Sequence, residues 1–318
     1  QTPHYLRRWL AVYTLFVPEH KIRVIAPDVG GGFGLKVHYS VEAPTVAWAA
    51  GLLGRPVKWT ATRSESLLSD SQARDHHTVA KMGFSKDGKI LALQVDTIAA
   101  LGGYLSNFAP SIPGNSYPQT LTGLYRTPIA YLRVRGAYTN TLPIDAYRGS
   151  GRPEATWVNE RLTEQGAREL GVDVTEIRHR NLIGPEEFPF PTPGGRTYDS
   201  GNPPLLFEKL LQLADYKSLR AEQAKLRTQG SLMGIGISCF LDKSGTGNSA
   251  NLGSRGGMHG GYESAIVRVH SDGKVTLFSG SHSHGQGHDI TFSQIAADRL
   301  GIDIDDIVLI EGDTDMVP

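Results

Sequence analysis

The alternation of apolar and polar positions along the chain predicts strands and helices in mixed order. Period-two patterns bounded by Asp-Gly turns predict two hairpins, one joining 77–84 to 89–100 and one joining Glu263–His270 to Lys274–Ser279. Further short strands are expected at 21–26, 56–61, 131–139 and 307–311. Apolar residues at helical spacing predict helices at 42–54, 154–170, 205–228 and 289–300.

The order of these elements indicates the fold class and the domain organisation. Because strands and helices mix without strict β-α-β alternation, we expect an α+β fold with mixed sheets and flanking helices. Proline and glycine are concentrated at 184–204, which is typical of a domain boundary. The sequence therefore predicts a first domain at 1–205, a helical connection at 206–230 and the start of a second, truncated domain at 231–318.

Composition excludes several classes of protein. Lys plus Arg equals Asp plus Glu at 32 each, so no overall charge attracts nucleic acid or an anionic membrane. No apolar run approaches the roughly 18 residues of a membrane span. The single cysteine, Cys239, excludes an internal disulfide framework and an iron–sulfur cluster ligated by this chain alone, and it favours a reducing, cytoplasmic compartment. Gln1 in place of Met, and an end directly after a strand-like run, indicate a piece of a longer chain.

The first glycine turn is Asp28-Val-Gly-Gly-Gly-Phe-Gly-Leu-Lys36. Consecutive glycines let the backbone approach a ligand closely and point N–H groups at an anion. A dinucleotide fingerprint would need glycine at 35 or 37, where the chain has Leu35 and Val37. A tight strand-to-helix turn without a ligand is the structural alternative.

The second glycine turn is Asp145-Ala-Tyr-Arg-Gly-Ser-Gly-Arg-Pro-Glu154, in which Arg148 and Arg152 flank two glycines before a predicted helix. Guanidinium groups and the free N–H groups of a helix N-terminus both bind phosphate well. The alternative is a surface turn with solvated arginines.

The third glycine turn is Ser281-His-Ser-His-Gly-Gln-Gly-His288. His282, His284 and His288 have a spacing compatible with a metal site of the kind found in metal-dependent hydrolases, but no paired acidic pattern accompanies them. A Gly-Gln-Gly turn that cradles a ligand is the other interpretation.

In this order, the three turns resemble the molybdopterin-binding large subunit of the xanthine dehydrogenase/aldehyde oxidase family, which is related to the large subunit of carbon monoxide dehydrogenase. The motifs that carry the resemblance are Gly30-Gly-Gly-Phe-Gly34, Ala146-Tyr-Arg-Gly-Ser-Gly-Arg-Pro-Glu154 and Gly285-Gln-Gly-His288, supported by Arg178-His-Arg-Asn-Leu182, Tyr198-Asp-Ser-Gly201 and Gly312-Asp-Thr-Asp315. The resemblance covers essentially the whole chain and implies a fragment with two molybdenum-pterin-binding domains.

The resemblance also implies a cofactor and residues that contact it. The cofactor would be molybdenum-molybdopterin in its cytosine dinucleotide form, with the metal held by the pterin and by no protein side chain. By position, Gln1 matches a glutamine that hydrogen-bonds an oxo ligand of the metal. The positions that match cofactor contacts are Gly31, Gly32, Phe33, Gly34, Arg148, Gln286 and Gly287. Those that match the substrate pocket are Phe33, Gly149 and Ser150.

The implied reaction is a hydroxylation of a small molecule with water as the oxygen source. Electrons would pass to an iron–sulfur subunit and an FAD subunit in a dimer of heterotrimers. Members that oxidise carbon monoxide carry a copper-binding cysteine where this chain has Gly149 and Ser150, and purine oxidisers carry a glutamate where it has Lys36-Val-His38. We therefore expect an aldehyde or an N-heteroaromatic substrate.

The catalytic glutamate of the family, in a G-x-G-E context, does not occur in this chain, so we expect the fragment alone to be inactive. Two alternatives stay open at this point. One is a His-metal-dependent hydrolase built on 282–288, and the other is a non-catalytic remnant of the subunit.

Overall fold

The structure is a computed structural model that describes residues 2–37, 39–242 and 263–318. The α-helices are α1 (Pro3–Trp9), α2 (Glu42–Leu53), α3 (Arg63–Ser69), α4 (Tyr117–Thr120), α5 (Arg152–Leu170), α6 (Val174–Asn181), α7 (Pro203–Leu213), α8 (Tyr216–Thr228) and α9 (His288–Leu300). The strands are β1 (His76–Phe84), β2 (Ile90–Ala100), β3 (Ala130–Ala137), β4 (Phe190–Pro191), β5 (Thr197–Tyr198), β6 (Ala265–Val269), β7 (Val275–Ser279) and β8 (Ile307–Ile310). This mixture of helices with mixed sheets confirms the α+β prediction.

The described residues form two compact units that interleave along the chain. The first draws on Gln1–Ser71, Ala146–Arg148 and Lys243–Pro318, and the second on Gln72–Asp145 and Gly149–Asp242. The short stretch Ala146–Arg148 belongs to the first unit although the second unit supplies the chain on both sides of it. The division into domains at 1–205, 206–230 and 231–318 stays a prediction.

A three-stranded sheet with the order β1-β2-β3 is the scaffold of the second unit. The pair β1–β2 is the predicted hairpin, whereas β3 runs parallel to β2. Alternate residues of β2, from Leu93 and Val95 onward, face the core, where they pack against α4 and α5. The buried apolar residues of this cluster are Leu93, Val95, Tyr117, Leu121, Ala155 and Val158.

A buried polar network ties α5, α6 and the segment after α8 together. Glu160 accepts hydrogen bonds from the Tyr125 hydroxyl at 2.5 Å and from Nε and Nη2 of Arg178 at 3.2 and 2.9 Å. The Cys239 backbone N–H also donates to Glu160, at 3.0 Å. Burial, reinforced by the Glu160 charge, raises the pKa of the Cys239 thiol to about 11, so this cysteine stays protonated at neutral pH.

The 178–182 motif has two structural roles in this unit: Arg178 pairs with Glu160, and Asn181 binds backbone groups of its neighbours. Its amide donates to the carbonyls of Gly88 and Ile177, each at 2.8 Å, and its oxygen accepts the Ile90 N–H at 2.8 Å. The side chain therefore holds the β1–β2 turn against α6. The motif Arg178-His-Arg-Asn-Leu182 is in this way explained by packing within the second unit.

The first unit contains a second three-stranded sheet, with the order β6-β7-β8. The predicted hairpin β6–β7 is antiparallel, and β8 returns parallel to β7 after α9. β7 is the central strand and is nearly fully buried, because α9 covers one side of it. Its core residues are Val275, Leu277, Ala297 and Ile307.

Several local predictions differ from the structure. The strand expected at 56–61 is wrong, because this stretch has no regular secondary structure and pairs with no strand of the described residues. The strand expected at 21–26 is reduced to a single bridge between Ile25 and Asp313. The helix expected at 205–228 is broken into α7 and α8, where Asp215 adopts a left-handed φ of 45°. None of the described helices is long and apolar enough to cross a membrane.

Candidate functional site

Residues 23–26, which lead into the first glycine turn, are anchored by residues 312–314 of the same unit. The Ala26 N–H donates to the Gly312 carbonyl at 2.8 Å, and the Thr314 N–H donates to the Val24 carbonyl at 3.1 Å. Arg23 forms a two-pronged ion pair with Asp313. A Cβ on Gly312, whose φ is +77°, would collide with the Ala26 carbonyl. Glycine is therefore required for this close approach.

The first glycine turn uses left-handed backbone at Gly31, Phe33 and Gly34, with φ of 127°, 52° and 85°. The Phe33 ring folds back over Gly31, where a Cβ would collide with it. A Cβ on Gly34 would lie only 3.3 Å from the Ala146 oxygen and from the Cα of Tyr147. The first turn is thus in direct contact with the start of the second.

The third glycine turn lies beside the same segment of the first unit. His282 is 8% exposed, and its Nε2 lies 3.4 Å from the Pro27 carbonyl oxygen, immediately before the first turn. Its ring stacks on that of His284 with the centroids 6.2 Å apart. Burial lowers the pKa of His284, and the neighbouring imidazoles act in the same direction.

The glycines of these turns fall into two groups that differ in what surrounds them. Gly31, Gly34 and Gly312 are packed so tightly that a Cβ would be crowded, whereas no atom of the described residues lies within 4 Å of a Cβ position on Gly30, Gly285 or Gly287. Gly285 and Gly287 also have positive φ, 112° and 70°. An open main-chain surface of this kind suits an anionic or hydrogen-bonding group that approaches the backbone closely. The residues present therefore fit a pterin cofactor with its phosphates.

The rest of the second glycine turn, from Gly149 onward, belongs to the second unit. Gly149, Ser150 and Gly151 all adopt left-handed backbone, with φ of 92°, 40° and 89°, immediately before α5. A Cβ on Gly149 would lie 2.6 Å from the Pro153 ring. This position therefore cannot accept a larger residue, cysteine included, without rearrangement of the turn. The Arg152 guanidinium pairs with Asp242 in this structure.

The predicted site residues are brought together in part. The first turn touches the second at Gly34, and the third turn reaches the first through His282. Arg148 follows directly on the contact at Ala146 and Tyr147, within the first unit. Gln286 folds back on its own turn, where its Oε1 accepts the His284 N–H at 2.6 Å. Gln1 and His38 lie outside the described residues, so the predicted role of Gln1 stays a prediction, as do the roles of the other positions.

The three histidines of the third turn do not converge on a point. His288 interacts with Glu311 and stacks on Phe292, whereas His282 and His284 stack on each other. Within 2–37, 39–242 and 263–318, no three His, Cys, Asp or Glu side chains are grouped so that they could hold a metal ion. The geometry gives the hydrolase alternative no support.

The sequence reasoning did not identify Glu311 or the pairing of 312–314 with 24–26. In the sequence, the Gly312-Asp-Thr-Asp315 motif supports the family resemblance but gives no sign of this pairing. A cavity of about 560 Å³ was also not anticipated. It is built only from second-unit residues between Lys89 and Pro193, and it includes none of the predicted site residues.

Comparison with known proteins identifies the family. Residues 1–182 match one family model of a molybdopterin cofactor-binding domain, and residues 209–318 match a second model of the same description. The chain is 41% identical to the carbon monoxide dehydrogenase large chain of Afipia carboxidovorans and 34% identical to a putative xanthine dehydrogenase molybdenum-binding subunit of Escherichia coli. Each alignment covers 100% of this chain and 40% of the relative, so the chain spans well under half the length of these proteins.

A solved structure gives the same result. Quinoline 2-oxidoreductase from Pseudomonas putida 86 superposes with a TM-score of 0.93 at 35% identity, over 99% of this chain and 40% of that one. The two family models confirm that the chain carries two molybdopterin-binding domains. Since its relatives cover the chain from end to end, the resemblance inferred from the three glycine turns is confirmed as well. The chain belongs to the molybdopterin cofactor-binding family that includes the carbon monoxide dehydrogenase large chain and the molybdenum-binding subunit of xanthine dehydrogenase.

Proposed function

We propose that this chain is part of a molybdenum hydroxylase that oxidises aldehydes or N-heteroaromatic compounds with water as the oxygen source. The observation that carries the proposal is the meeting of the glycine turns within the first unit. Gly34 lies against Ala146 and Tyr147, and His282 lies against Pro27. One ligand that contacts all three turns would account for Gly285 and Gly287, next to whose Cβ positions none of the described residues lies.

The chain's own residues would hold and orient the cofactor. The positions assigned to it are Gly31, Gly32, Phe33, Gly34, Arg148, Gln286 and Gly287. Molybdenum-molybdopterin, in its cytosine dinucleotide form, supplies the two-electron oxidation when bound. The Arg148 guanidinium suits its phosphates, because a planar fork of donors matches phosphate oxygens. Gln1 is suited to a neutral hydrogen bond near the metal, since an amide donates without placing a charge there.

The substrate class rests on what the chain lacks at two positions. A copper-binding cysteine is incompatible with the observed backbone at Gly149, where φ is +92° and Pro153 leaves no room for a Cβ. This argues against carbon monoxide as substrate. Lys36-Val-His38 stand in the region where purine oxidisers are expected to carry a glutamate, and the Lys36 ammonium pairs with Asp70 at 2.8 Å. Phe33, Gly149 and Ser150 are the residues proposed to face an aldehyde or an N-heteroaromatic ring.

Electrons would leave through other polypeptides. Iron–sulfur clusters need several thiolates, whereas this chain has one cysteine, and the pKa of that thiol is raised by burial. We therefore propose an iron–sulfur subunit and an FAD subunit as partners, assembled as a dimer of heterotrimers in the cytoplasm.

The test is to produce the enzyme with its complete reading frame and neighbouring subunits in a host that makes molybdopterin. Molybdenum and acid-released cytidine monophosphate are measured per protein, and dye reduction is followed with an aldehyde, quinoline, xanthine and carbon monoxide. Stoichiometric molybdenum with reduction by the aldehyde or quinoline supports the proposal. A folded, fully metallated enzyme that is inert to both refutes the substrate class.

The same preparation distinguishes the two alternatives. Stoichiometric zinc without molybdenum would favour a metal-dependent hydrolase. A folded protein that retains neither metal would favour a non-catalytic remnant.

A further inference from the structure

Glu311 lies in the first unit, where the end of strand β8 meets the third glycine turn. It follows directly on β8, whose last residue is Ile310, and it precedes Gly312, which pairs with Ala26 before the first turn. Its side chain is 18% exposed and points toward the third glycine turn. Glu311 therefore contacts the third turn through its side chain, and Gly312 holds the segment that leads into the first turn through its carbonyl.

Both carboxylate oxygens of Glu311 are engaged by the third turn. Oε1 accepts the Ser283 N–H at 2.7 Å, and Oε2 lies 3.1 Å from Nδ1 of His288. These two partners lie at opposite ends of the Ser283–His288 stretch. His288 is also the first residue of α9 and stacks on Phe292 with the ring centroids 4.4 Å apart. The carboxylate thus joins both ends of the turn to the end of a strand.

The other contacts of the residues between those ends are local, since His284 stacks on His282 and the Gly287 carbonyl accepts a hydrogen bond from the Thr291 hydroxyl of α9. Gly285 and Gly287 have positive φ, and within the part of the chain that the structure describes no atom lies within 4 Å of a Cβ position on either. Gln286 contacts only its own turn among the bonds described, through the His284 N–H and ring. A turn with two glycines and an open surface has many accessible conformations when nothing restrains its ends. The Glu311 contacts are therefore well placed to determine its shape.

We propose that Glu311 is a positioning residue for the cofactor, which acts by holding the Ser283–His288 turn in the shape that offers Gln286 and the glycine main chain to the ligand. The proposal rests on the function proposed above, because it assigns that turn to cofactor binding. Glu311 itself touches no cofactor in this scheme. Its effect passes through the Ser283 N–H and the His288 ring.

Three variants separate this role from a general effect on folding. Glu311→Ala removes both hydrogen bonds. Glu311→Gln keeps an oxygen for Ser283, and its amide can donate to Nδ1 of the other neutral His288 tautomer, so the geometry can survive without the charge. Asp306→Asn is the matched control, because Asp306 pairs with Lys274 beside the opposite end of β8 and does not touch the turn.

Two measurements decide the matter. Hydrogen exchange of the 283–288 amides is followed in the full chain, and the loss of molybdenum and pterin on dilution is followed in the loaded enzyme. Loss of a buried hydrogen bond to a charged group corresponds to about a ten- to hundred-fold change in an equilibrium. We expect changes of that size in both measurements for Glu311→Ala, a clearly smaller change for Glu311→Gln, and none for Asp306→Asn.

Each outcome is informative. Unchanged exchange at 283–288 in Glu311→Ala, or faster exchange with unchanged cofactor retention, overturns the inference. If Glu311→Ala does not fold, the comparison passes to Glu311→Gln and His288→Gln, and equal exchange and retention in wild type and both variants overturns it. A wild-type enzyme that binds no molybdopterin refutes the proposed function instead, and the exchange measurement then still reports whether Glu311 holds the turn.

Discussion

Replacement of Arg178 by methionine is expected to destabilise the second unit far more than the same replacement of an arginine in an exposed helical ion pair. Arg178 is 1% exposed and forms an ion pair with Glu160, whose side chain is 8% exposed. In the variant, the described residues that still donate hydrogen bonds to the buried Glu160 carboxylate are the Tyr125 hydroxyl and the Cys239 N–H. Loss of one partner of a buried ion pair costs about 3–5 kcal/mol, because the other charge remains without compensation.

Replacement of Glu160 by leucine is expected to be at least as costly. Arg178 then keeps hydrogen bonds to the carbonyls of Val174 and Ile237, at 2.8 and 3.0 Å, but its charge has no counterion. The Tyr125 hydroxyl and the Cys239 N–H also lose their acceptor. The double variant removes both charges, so its cost should fall below the sum of the single costs by about 3 kcal/mol.

The assay is urea unfolding of the full chain, followed by circular dichroism, for wild type, both single variants and the double variant. A loss of about 4 kcal/mol lowers the urea midpoint by about 2 M at a slope of about 2 kcal/mol per M. Arg168→Met is the matched control, because Arg168 forms an exposed pair with Glu164 one turn away on α5, worth about 0.3–0.5 kcal/mol. Equal midpoints for the Arg178 and Arg168 variants, or strictly additive single costs, would refute the reasoning.

Two further predictions concern the glycine turns and pH. Gly34→Ala places an alanine in the left-handed region, at a cost of about 1–2 kcal/mol, and crowds Ala146, so we expect it to lower molybdenum retention about ten-fold or more. Gly54→Ala is the control, because Gly54 is also left-handed but its Cβ position is open; it should cost similar stability without changing the molybdenum content. Equal retention in both variants would contradict a role for the contact between Gly34 and Ala146. Burial lowers the pKa of His76 in the folded chain, so the unfolded chain binds a proton at this imidazole more readily. The stability that neutral His76 contributes is complete above about pH 6.5 and is lost as the pH falls further. The urea midpoint should therefore drop less between about pH 7.5 and 5.5 in His76→Gln than in wild type, and an equal drop would show that His76 is not the group responsible.

Local sequence signals predicted those elements whose conformation is decided by neighbours in the chain. Asp-Gly turns between alternating strands placed both hairpins correctly, and the helix at 42–54 was found from its proline start and glycine end. The strand predicted at 56–61 failed because a strand needs a partner, and β-branched residues alone do not supply one. The break at Asp215 was missed because apolar spacing continues across it on both sides.

The sequence by itself determined the fold class, the family and the identity of the three glycine turns, because each turn, helix and strand has a local pattern of residue types and the order of these patterns can be read along the chain. Only the tertiary structure decided which of those turns meet, because the contacts that join them link Gly34 to Ala146 and His282 to Pro27. The same holds for Glu311, which is a single carboxylate after a strand until the fold places Ser283 and His288 against its two oxygens. Contacts between residues far apart in the chain depend on how sheets and helices pack, and no local pattern of side chains records that packing.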